Sequence, residues 1–424
     1  MTKRILIISD LPVFPANAGN KTRVWAMMNN LRRLGHDVSF LGLGLREKEF
    51  AGLRTAWDGN VHNIPALRAR HAHPRWFAVM RFLTDRFIAR GIGEPGVDHW
   101  YWPHWDQAIA DFASKHTFDV VIVEYVFFSR ALQQFGSSVC KIIDTHDVYT
   151  GRREKLKARK IKRFYQYLTR SSEEARGLNR ADLVIGIQEN ESNYFRKLLG
   201  PFKHVITVGH TVDLQPAPLP SSADILFLGS PYSANIDGVT HFIEHCFPRI
   251  RASVPNACLL LAGSICKSWR RRVAGLVLIG EVGDVREAYA RAAVVINPVL
   301  AGTGLKTKTI EALAFGRALV TTSCGAEGVQ DAAGSAFYLA DDPDDFADGV
   351  VKLLTSPNLA AAYAKTAIQF VEQWNNAQLS ALTQVLSTHH EHHTETPHST
   401  DLPPQLAAQV GDLCIGPGRQ TAAL

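Results

Sequence analysis

The sequence predicts an α/β protein with two facing, doubly wound parallel-sheet domains and a cleft between them. Three observations lead to this prediction. The chain has 424 residues, more than a single hydrophobic core usually accommodates. Short apolar runs alternate with helical patterns, which is typical of parallel sheets covered on both faces. This alternation occurs twice, before and after a segment rich in proline and serine.

The first domain is predicted over residues 1–210. Its first strand ends at Asp10, and a turn-rich loop leads to a helical pattern from Lys21 to Leu34. Further strands are predicted to begin at Asp37, Asp119, Val139, Asp182 and His204. The proline- and serine-rich residues 211–222 are the expected linker.

The second domain is predicted over residues 223–370 and repeats the Rossmann-like pattern. Its strands are predicted to begin at Ile225, Ala257, Leu276, Val294 and Ala318. A helix over residues 371–387 is expected to pack back across both domains. Residues 388–424 are rich in His, Thr, Pro and Gly without apolar periodicity, so we expect a disordered tail.

Composition limits the class of protein. The formal charge of +6 fits an anionic ligand, an acidic membrane surface or a nucleic acid, and does not choose among them. The six cysteines lie far apart without a CxxC pair, which favours free thiols in a reducing compartment over disulfides or a zinc site. The apolar run before Asp10 is too short for a signal peptide or a membrane span. We therefore expect a cytoplasmic protein.

The most specific signal is the segment that begins at Gly302. Gly302 and Gly304 follow an apolar strand, where glycines let main-chain NH groups approach an anion at the start of the next helix. Lys306 and Lys308 add positive charge. Glu311, further along that helix, suits a pair of ribose hydroxyls. The combination indicates a nucleoside diphosphate site, and a capped helix with a solvated lysine face is the alternative.

Ligands of open α/β sheets bind beyond the carboxyl ends of the strands. The loops that this rule places near the expected cleft are those around Gly19, Glu124, His146, Gly229, Gly280 and Gly302.

The order of these segments resembles the retaining GT-B glycosyltransferases of family 4, over nearly the whole chain before the tail. Residues 19–21 are similar to the family's glycine loop, and residues 181–191 resemble its aspartate, apolar strand and Ser-Glu segment. Residues 208–213 resemble its Asn-Gly-Val-Asp turn, and residues 227–237 resemble the opening of its second domain. The resemblance implies the GT-B fold, with the acceptor bound by the first domain and a nucleotide-sugar donor by the second.

The resemblance also implies roles for residues of the second domain. Glu311 would hold the ribose, and the main chain near Gly280, Glu281 and Val282 would hold the base. The Gly302 loop would lie near the diphosphate. The remaining positions that the resemblance places at the donor are Gly19, Asn20, Gly229 and Ser230.

Two departures from the family pattern concern the diphosphate. Thr303 stands where many members carry a glutamate. Ser230 and Asn235 stand near the places of an arginine and a lysine. We therefore assign Lys306 and Lys308 to the diphosphate as replacement cations, and Lys21 is the weaker alternative for the same role. Such cations and helix-end NH groups stabilise a leaving diphosphate without a metal ion.

His146 and Glu124 are the candidate catalytic residues, because family members carry a polar residue at the end of the fourth or fifth strand that points at the donor sugar. His146 would donate a hydrogen bond to the sugar or assist the acceptor hydroxyl. Alternatively, His146 only fixes a turn by binding Asp144 or Asp147. Glu124 lines the cleft or pairs with an arginine such as Arg130, since an isolated buried carboxylate is costly.

Two segments bear on the acceptor. Residues 67–104 interleave aromatic and basic side chains, and residues 151–165 are densely cationic. Both suit an anionic bilayer or a lipid-linked acceptor. A solvated basic helix face is the alternative. We expect no nucleic-acid partner, because no recognition module is visible.

We therefore expect a glycosyltransferase that moves a sugar from a nucleoside-diphosphate sugar to a hydroxyl of a saccharide or lipid-linked saccharide. We expect retention, no metal or other cofactor, and a role in cell-surface polysaccharide or glycolipid synthesis at the inner face of the membrane. Two alternatives stay open: a nucleotide-sugar 2-epimerase of the same fold, and a non-catalytic nucleotide-sugar-binding partner subunit.

Overall fold

The computed structural model describes residues 2–16, 18–66, 83–86, 88, 93–154, 167–302 and 304–387. Two β-sheets organise these residues. The strands of the first sheet are β1 (Arg4–Ser9), β2 (Asp37–Leu43), β3 (Val61–Ile64), β4 (Val120–Glu124), β5 (Cys140–Asp144), β6 (Leu183–Gly186) and β7 (His204–Thr207). The strands of the second sheet are β8 (Asp224–Leu228), β9 (Cys258–Ala262), β10 (Leu276–Gly280), β11 (Val294–Asn297), β12 (Ala318–Thr321) and β13 (Tyr338–Leu339).

Helices cover both sheets. Those before the second sheet are α1 (Gly19–Arg33), α2 (Glu47–Ala56), α3 (His104–Ala113), α4 (Ser171–Leu178) and α5 (Glu189–Leu199). Those that follow are α6 (Ser233–His241), α7 (Phe247–Ser253), α8 (Val285–Arg291), α9 (Thr307–Ala314), α10 (Pro343–Thr355) and α11 (Pro357–Ser387). A π-helical turn, Phe242–Cys246, joins α6 to α7, and 3₁₀ segments cover Val126–Gln134, Ser264–Ser268 and Gln330–Ala332.

The strands pair in parallel, in the orders β3-β2-β1-β4-β5-β6-β7 and β10-β9-β8-β11-β12-β13. In each sheet the strand order reverses beside the first strand, which is the crevice position where doubly wound sheets bind ligands. The predicted fold class is confirmed. The short strands β3 and β13 were not predicted, because β3 is only half-buried and β13 has two residues.

Each sheet has its own core. In the first, Leu6, Val121 and Ile143 lie inside one cluster of buried apolar side chains. In the second, Ile225 and Leu259 belong to another cluster. These residues come from the apolar runs that mark the strands in the sequence, and central parallel strands are apolar because helices cover both faces.

The linker is tied to the second domain by Arg317, whose side chain is fully buried. The guanidinium donates to the carbonyl oxygens of Pro218 and Ala292, both at 3.2 Å, and to that of Ala217. Burial lowers the pKa of Arg317. Because several carbonyl oxygens share its charge, Arg317 fixes the path of the linker.

Helix α11 begins earlier than expected and has 31 residues. Trp374 donates to the carbonyl oxygen of His210 at 2.7 Å, and Gln378 accepts from the NH group of Gly209 at 2.5 Å. Val371 of the same helix lies in a buried cluster of the second domain. The helix therefore contacts the end of the first domain and the core of the second. Proline is favoured at the first helical position, which accounts for a start at Pro357.

Part of the expected acceptor surface is core. Tyr101 is 2% exposed and belongs to the first core cluster. The interpretation of this aromatic as a membrane-facing side chain is wrong, because it packs in the core of the first domain. Residues 67–82 and 155–165, and the tail over residues 388–424, lie outside the described residues. In the part of the chain that the structure describes, no helix is both long and apolar enough to span a bilayer.

Candidate active site

The start of α1 in the first domain meets the start of α9 in the second. A Cβ atom added to Gly19 would lie 3.1 Å from Oγ1 of Thr307, so this glycine permits a close approach. Asn20 follows it and donates from Nδ2 to the hydroxyl of Tyr125 at 3.0 Å. The glycine loop predicted in the first domain and the helix start predicted in the second are therefore neighbours.

The Gly302 loop is shaped around Lys306. Gly304 has φ of 77°, a left-handed conformation that favours glycine. Nζ of Lys306 donates to the carbonyl oxygen of Gly304 at 2.6 Å and lies 3.1 Å from Oε2 of Glu327. Thr303 lies outside the described residues. Lys306 immediately precedes α9, where its charge adds to the positive end of the helix dipole.

Lys308 reaches from α9 to the start of α6, which follows the loop after β8. Its Nζ donates to Oδ1 of Asn235 at 2.5 Å and lies 4.6 Å from the ring centroid of Phe227. Nδ2 of Asn235 in turn donates to the carbonyl oxygen of Ser230 at 3.0 Å. Burial, with the nearby charge of Lys306, lowers the pKa of Lys308 to about 7. An anion beside Lys308 would favour its charged form.

Glu311 is half-buried on the next turn of α9 and is hydrogen-bonded to the hydroxyl of Tyr289. Burial raises the pKa of Glu311 to about 7, against the opposing effects of Tyr289 and Lys308. Tyr289 is buried and stacks on Phe315 with ring centroids 4.2 Å apart. Glu311 borders a cavity of about 430 Å³, whose other walls come from α1, α11, the start of α8 and residues 210–215.

The glycine loops that follow β8, β9 and β10 lie side by side. The NH group of Gly229 donates to the carbonyl oxygen of Ala262 at 3.0 Å, and that of Gly263 donates to Gly280 at 2.7 Å. The side chain of Glu281 points to the surface and lies 2.7 Å from Lys267. Val282 packs against the second-domain core. Main-chain groups of Glu281 and Val282 are thus the part that could face a ligand.

His146 and Glu124 form a pair. Nε2 of His146 lies 2.5 Å from Oε2 of Glu124 and 4.0 Å from Oδ2 of Asp144. Burial and then Asp144 raise the pKa of Glu124, while His146 opposes the shift. The alternative in which Glu124 pairs with Arg130 is wrong, because Arg130 binds Asp106 at 2.5 Å. Glu124 and Asp144 end neighbouring strands in register, which brings the loop after β5 over Glu124.

Sequence reasoning missed the buried ion pair between Arg23 and Asp144. Nε and Nη2 of Arg23 each donate to one carboxylate oxygen of Asp144 at 2.7 Å, and Nη2 also donates to the carbonyl oxygen of Val208 at 2.9 Å. Arg23 lies four residues after Gly19 on α1, on the face that packs against the sheet. The four-residue spacing from Gly19, which places Arg23 on the same face of α1, was the sequence feature that could have drawn attention to Arg23.

The ion pair between Arg23 and Asp144 also bears on metal binding. Ligand atoms of Glu124, Asp144 and His146 lie within 4.8 Å of one another, which is close enough for a metal ion. Both oxygens of Asp144, however, already accept from Arg23. An ion there would have to compete with a bidentate guanidinium, so this donor set fits a metal poorly.

Residues with a strained backbone lie close together around His146. Tyr125, His146 and Tyr167 have φ of 68°, 63° and 56°. The ring of Tyr125 stacks on His146 at 4.1 Å and on Tyr167 at 5.3 Å. The hydroxyl of Tyr167 donates to Oδ2 of Asp10 at 2.8 Å, and burial raises the pKa of Asp10 to about 6. Such strain persists where the surroundings impose it, commonly at functional sites.

A second junction that the sequence did not indicate joins the two domains beside the Gly302 loop. Gln188, just before α5, donates from Nε2 to Glu191 at 3.1 Å and to Glu327 at 3.4 Å. Glu327 is the partner of Lys306. Ile187 and Leu305 lie in one buried cluster, so apolar packing supports the same junction.

Comparisons with known proteins agree with this architecture. A model of the glycosyl transferase 4-like domain matches residues 18–210, and a model of the glycosyl transferases group 1 matches residues 222–356. A relative described as an uncharacterized 44.6 kDa protein in the cps region of Klebsiella pneumoniae is 20% identical over an alignment of 392 residues, and the alignment covers 88% of this chain and 96% of that protein.

Solved structures share the fold. Anabaena Alr3699/HepE in complex with UDP and glucose is 12% identical, with 91% of this chain and 100% of that chain covered and a TM-score of 0.60. Sucrose-phosphate synthase from Thermosynechococcus elongatus is 16% identical, with 92% and 100% covered and a TM-score of 0.64. These likenesses show the two-domain fold, and the two family models together match more than half of the chain. The chain therefore belongs to the group 1 glycosyltransferases with the GT-B fold.

Proposed function

We propose that the protein transfers a sugar from a nucleoside-diphosphate sugar to a hydroxyl of a saccharide or lipid-linked saccharide, with retention and without a metal ion. One observation carries the proposal: Lys306, Lys308 and Glu311 converge at the start of α9, opposite Gly19 of the first domain. Support also comes from HepE, which was solved in complex with UDP and with UDP-glucose.

The diphosphate is the leaving group in this reaction. Negative charge develops on it as its bond to the anomeric carbon breaks. The NH groups at the start of α9, Lys306 and Lys308 are the groups that we assign to this charge, because preorganised donors stabilise a developing anion strongly in a site that excludes water. Glu311 is assigned to the ribose, as the acceptor of its two hydroxyls.

His146 is assigned to the reacting sugar or to the acceptor hydroxyl, and Glu124 to the orientation of His146. The 2.5 Å contact between the two side chains supports this division, since a carboxylate that accepts from one ring nitrogen fixes the imidazole. The rival interpretation is that the pair only stabilises the turn after β5.

Independence from metal ions is proposed on two grounds. Arg23 occupies both oxygens of Asp144 at the first-domain cluster. The acidic run at residues 341–345 caps a helix, since Oδ1 of Asp342 accepts from the NH groups of Asp344 at 2.9 Å and Asp345 at 3.2 Å.

We further propose that the protein is a cytoplasmic enzyme of polysaccharide or glycolipid synthesis and that it binds its acceptor at an anionic membrane surface. The basic stretches at residues 67–82 and 155–165 and the cps-region relative support this proposal. Binding to vesicles with and without phosphatidylglycerol, at low and high salt, tests it. Equal binding to both kinds of vesicle would contradict it.

Turnover of UDP-, GDP- and ADP-sugars tests the central proposal, with release of the nucleoside diphosphate and the anomeric configuration of the product as readouts. Glu311→Ala should abolish turnover. Glu244→Ala is the matched control, because that exposed carboxylate pairs with Arg271 at the surface. Formation of a 2-epimer of the donor would favour the epimerase. Binding of a donor without turnover would favour the non-catalytic partner.

A further inference from the structure

Glu191 reaches from the first domain to the loop that we assign to the diphosphate. It lies in the first turn of α5, and the residue is 5% exposed. Its Oε1 accepts from Gln188 and would lie 3.5 Å from a Cβ atom built on Gly304. A first-domain carboxyl group therefore borders the glycine loop of the second domain directly.

One oxygen of this carboxyl group is unsatisfied. Oε2 is buried and has no hydrogen-bond partner among the described residues. A buried polar atom without a partner is costly, and a buried charge is more so. An unpaired oxygen beside a proposed anion site indicates a group whose partner is the ligand.

The charged groups around Glu191 favour its neutral form. Asp147, from the loop after β5, and Glu327, from the loop after β12, add negative charge, while Lys306 pairs with Glu327. Arg23, from α1, favours the ionised form but is bound to Asp144. The amide of Gln188 and the start of α5 also favour the ionised form. Burial is the largest effect, and the balance raises the pKa of Glu191 to about 8.

We propose that Glu191 binds the donor as a neutral carboxyl group that donates a hydrogen bond to an oxygen of the β-phosphate. This inference rests on the proposed function, because it requires the diphosphate to lie at the Gly304 loop. A neutral carboxyl group carries an O–H donor, whereas phosphate oxygens only accept. An ionised Glu191 would repel the diphosphate, so its proton also sets the charge of the site.

Calorimetric titration of UDP and UMP at pH 6.5 and pH 9 tests the proposal. GDP and ADP are titrated in the same way, because the base of the donor is not assigned. The variants are Glu191→Gln, which keeps a neutral donor, and Glu191→Ala, which removes it. Glu189→Gln is the matched control, since Glu189 lies in the same turn but is exposed and pairs with Arg196. Melting temperatures verify that each variant folds.

The ratio of affinities between Glu191→Gln and the wild type is the informative quantity, because it cancels the titration of the nucleotide and of Lys308. For UDP the ratio should stay near one at pH 6.5. At pH 9 it should reach about ten, since roughly a tenth of the wild-type carboxyl groups would still be neutral. For UMP the ratio should stay near one at both pH values. Glu191→Ala should bind UDP more weakly than Glu191→Gln, and Glu189→Gln should follow the wild type.

A ratio for UDP that does not change with pH would overturn the inference, as would a Gln variant that binds no better than the Ala variant at pH 6.5. If Glu311→Ala abolishes binding in the same experiment, the proposed nucleotide site is supported and only the proposed role of Glu191 is refuted. A wild-type protein that binds none of the three nucleoside diphosphates would overturn both.

Discussion

Lys308, on helix α9, donates from Nζ to Oδ1 of Asn235, at the start of helix α6, over 2.5 Å. Asn235 stands near the place where the family carries a lysine. Lys308 thus brings an ammonium group to that place from a different helix, and Asn235 holds it there. This geometry supports the assignment of Lys308 as a replacement cation for the diphosphate.

Lys308→Met should weaken the binding of a nucleoside diphosphate by about ten-fold to a hundred-fold, because a hydrogen bond from a charged donor contributes roughly 1.5–3 kcal/mol. Since the pKa of Lys308 lies at about 7, wild-type affinity should fall as the pH rises above 7, and the variant should lack this component. Calorimetry measures both effects. Lys352→Met, which removes an exposed lysine beside Tyr338, should bind as the wild type does.

Tyr289→Phe should weaken nucleotide binding by several-fold. The hydrogen bond from Tyr289 lowers the pKa of Glu311, so its loss raises that pKa further above 7 and leaves more of Glu311 protonated at neutral pH. The acidic limb of the affinity-pH profile should therefore move to higher pH. A variant with lower affinity but an unmoved profile would show that Tyr289 acts only through packing.

His146→Ala should lower kcat by about 10²-fold to 10⁴-fold, the usual range for a positioned acid or base. The affinity for the nucleoside diphosphate should change little, because His146 is assigned to the reacting sugar or the acceptor hydroxyl and not to the diphosphate. Glu124→Gln should give a smaller loss of kcat, since the amide keeps an oxygen that accepts from the imidazole. If the pair only stabilised the turn, both variants would lose thermal stability and keep kcat per folded molecule.

Removal of divalent ions should leave turnover unchanged. The acidic cluster at Asp144 is neutralised by Arg23, and the proposed diphosphate site relies on Lys306 and Lys308. Initial rates before and after EDTA treatment, and after Mg²⁺ or Mn²⁺ is added back, measure this. Loss of activity with EDTA and recovery with either ion would contradict the proposed mechanism.

His210 should make the protein sensitive to acid. Its burial, and then Arg23, lower its pKa to about 3, so below its unfolded value of about 6.5 the unfolded chain binds a proton that the folded chain does not. The free energy of unfolding should therefore fall with decreasing pH, by about 2 kcal/mol between pH 6.5 and pH 5. Urea denaturation of the wild type and of His210→Leu measures this contribution, and equal pH dependence of the two proteins would refute it.

Much of the second-domain site was predictable because it is local. Gly302, Lys306, Lys308 and Glu311 lie within ten residues at the start of one helix, where helical spacing sets which side chains share a face. The first-domain site was predictable only in position. Glu124 and His146 follow neighbouring strands, so both were placed at one sheet edge, but the sequence did not identify His146 as the partner of Glu124.

The apolar strand pattern, the glycine loops and the charges of α9 are properties of short segments, and they sufficed to predict the two parallel sheets and to select a candidate site. The partners of the buried charges depended on folding. Arg23 meets Asp144 across 121 residues, and Gln188 meets Glu327 across 139. Contacts of this kind arise only when a helix packs on a sheet or one domain meets the other, because an ion pair forms where burial brings two side chains within reach. The spacing of two residues along the chain does not determine the distance between their side chains in the folded protein.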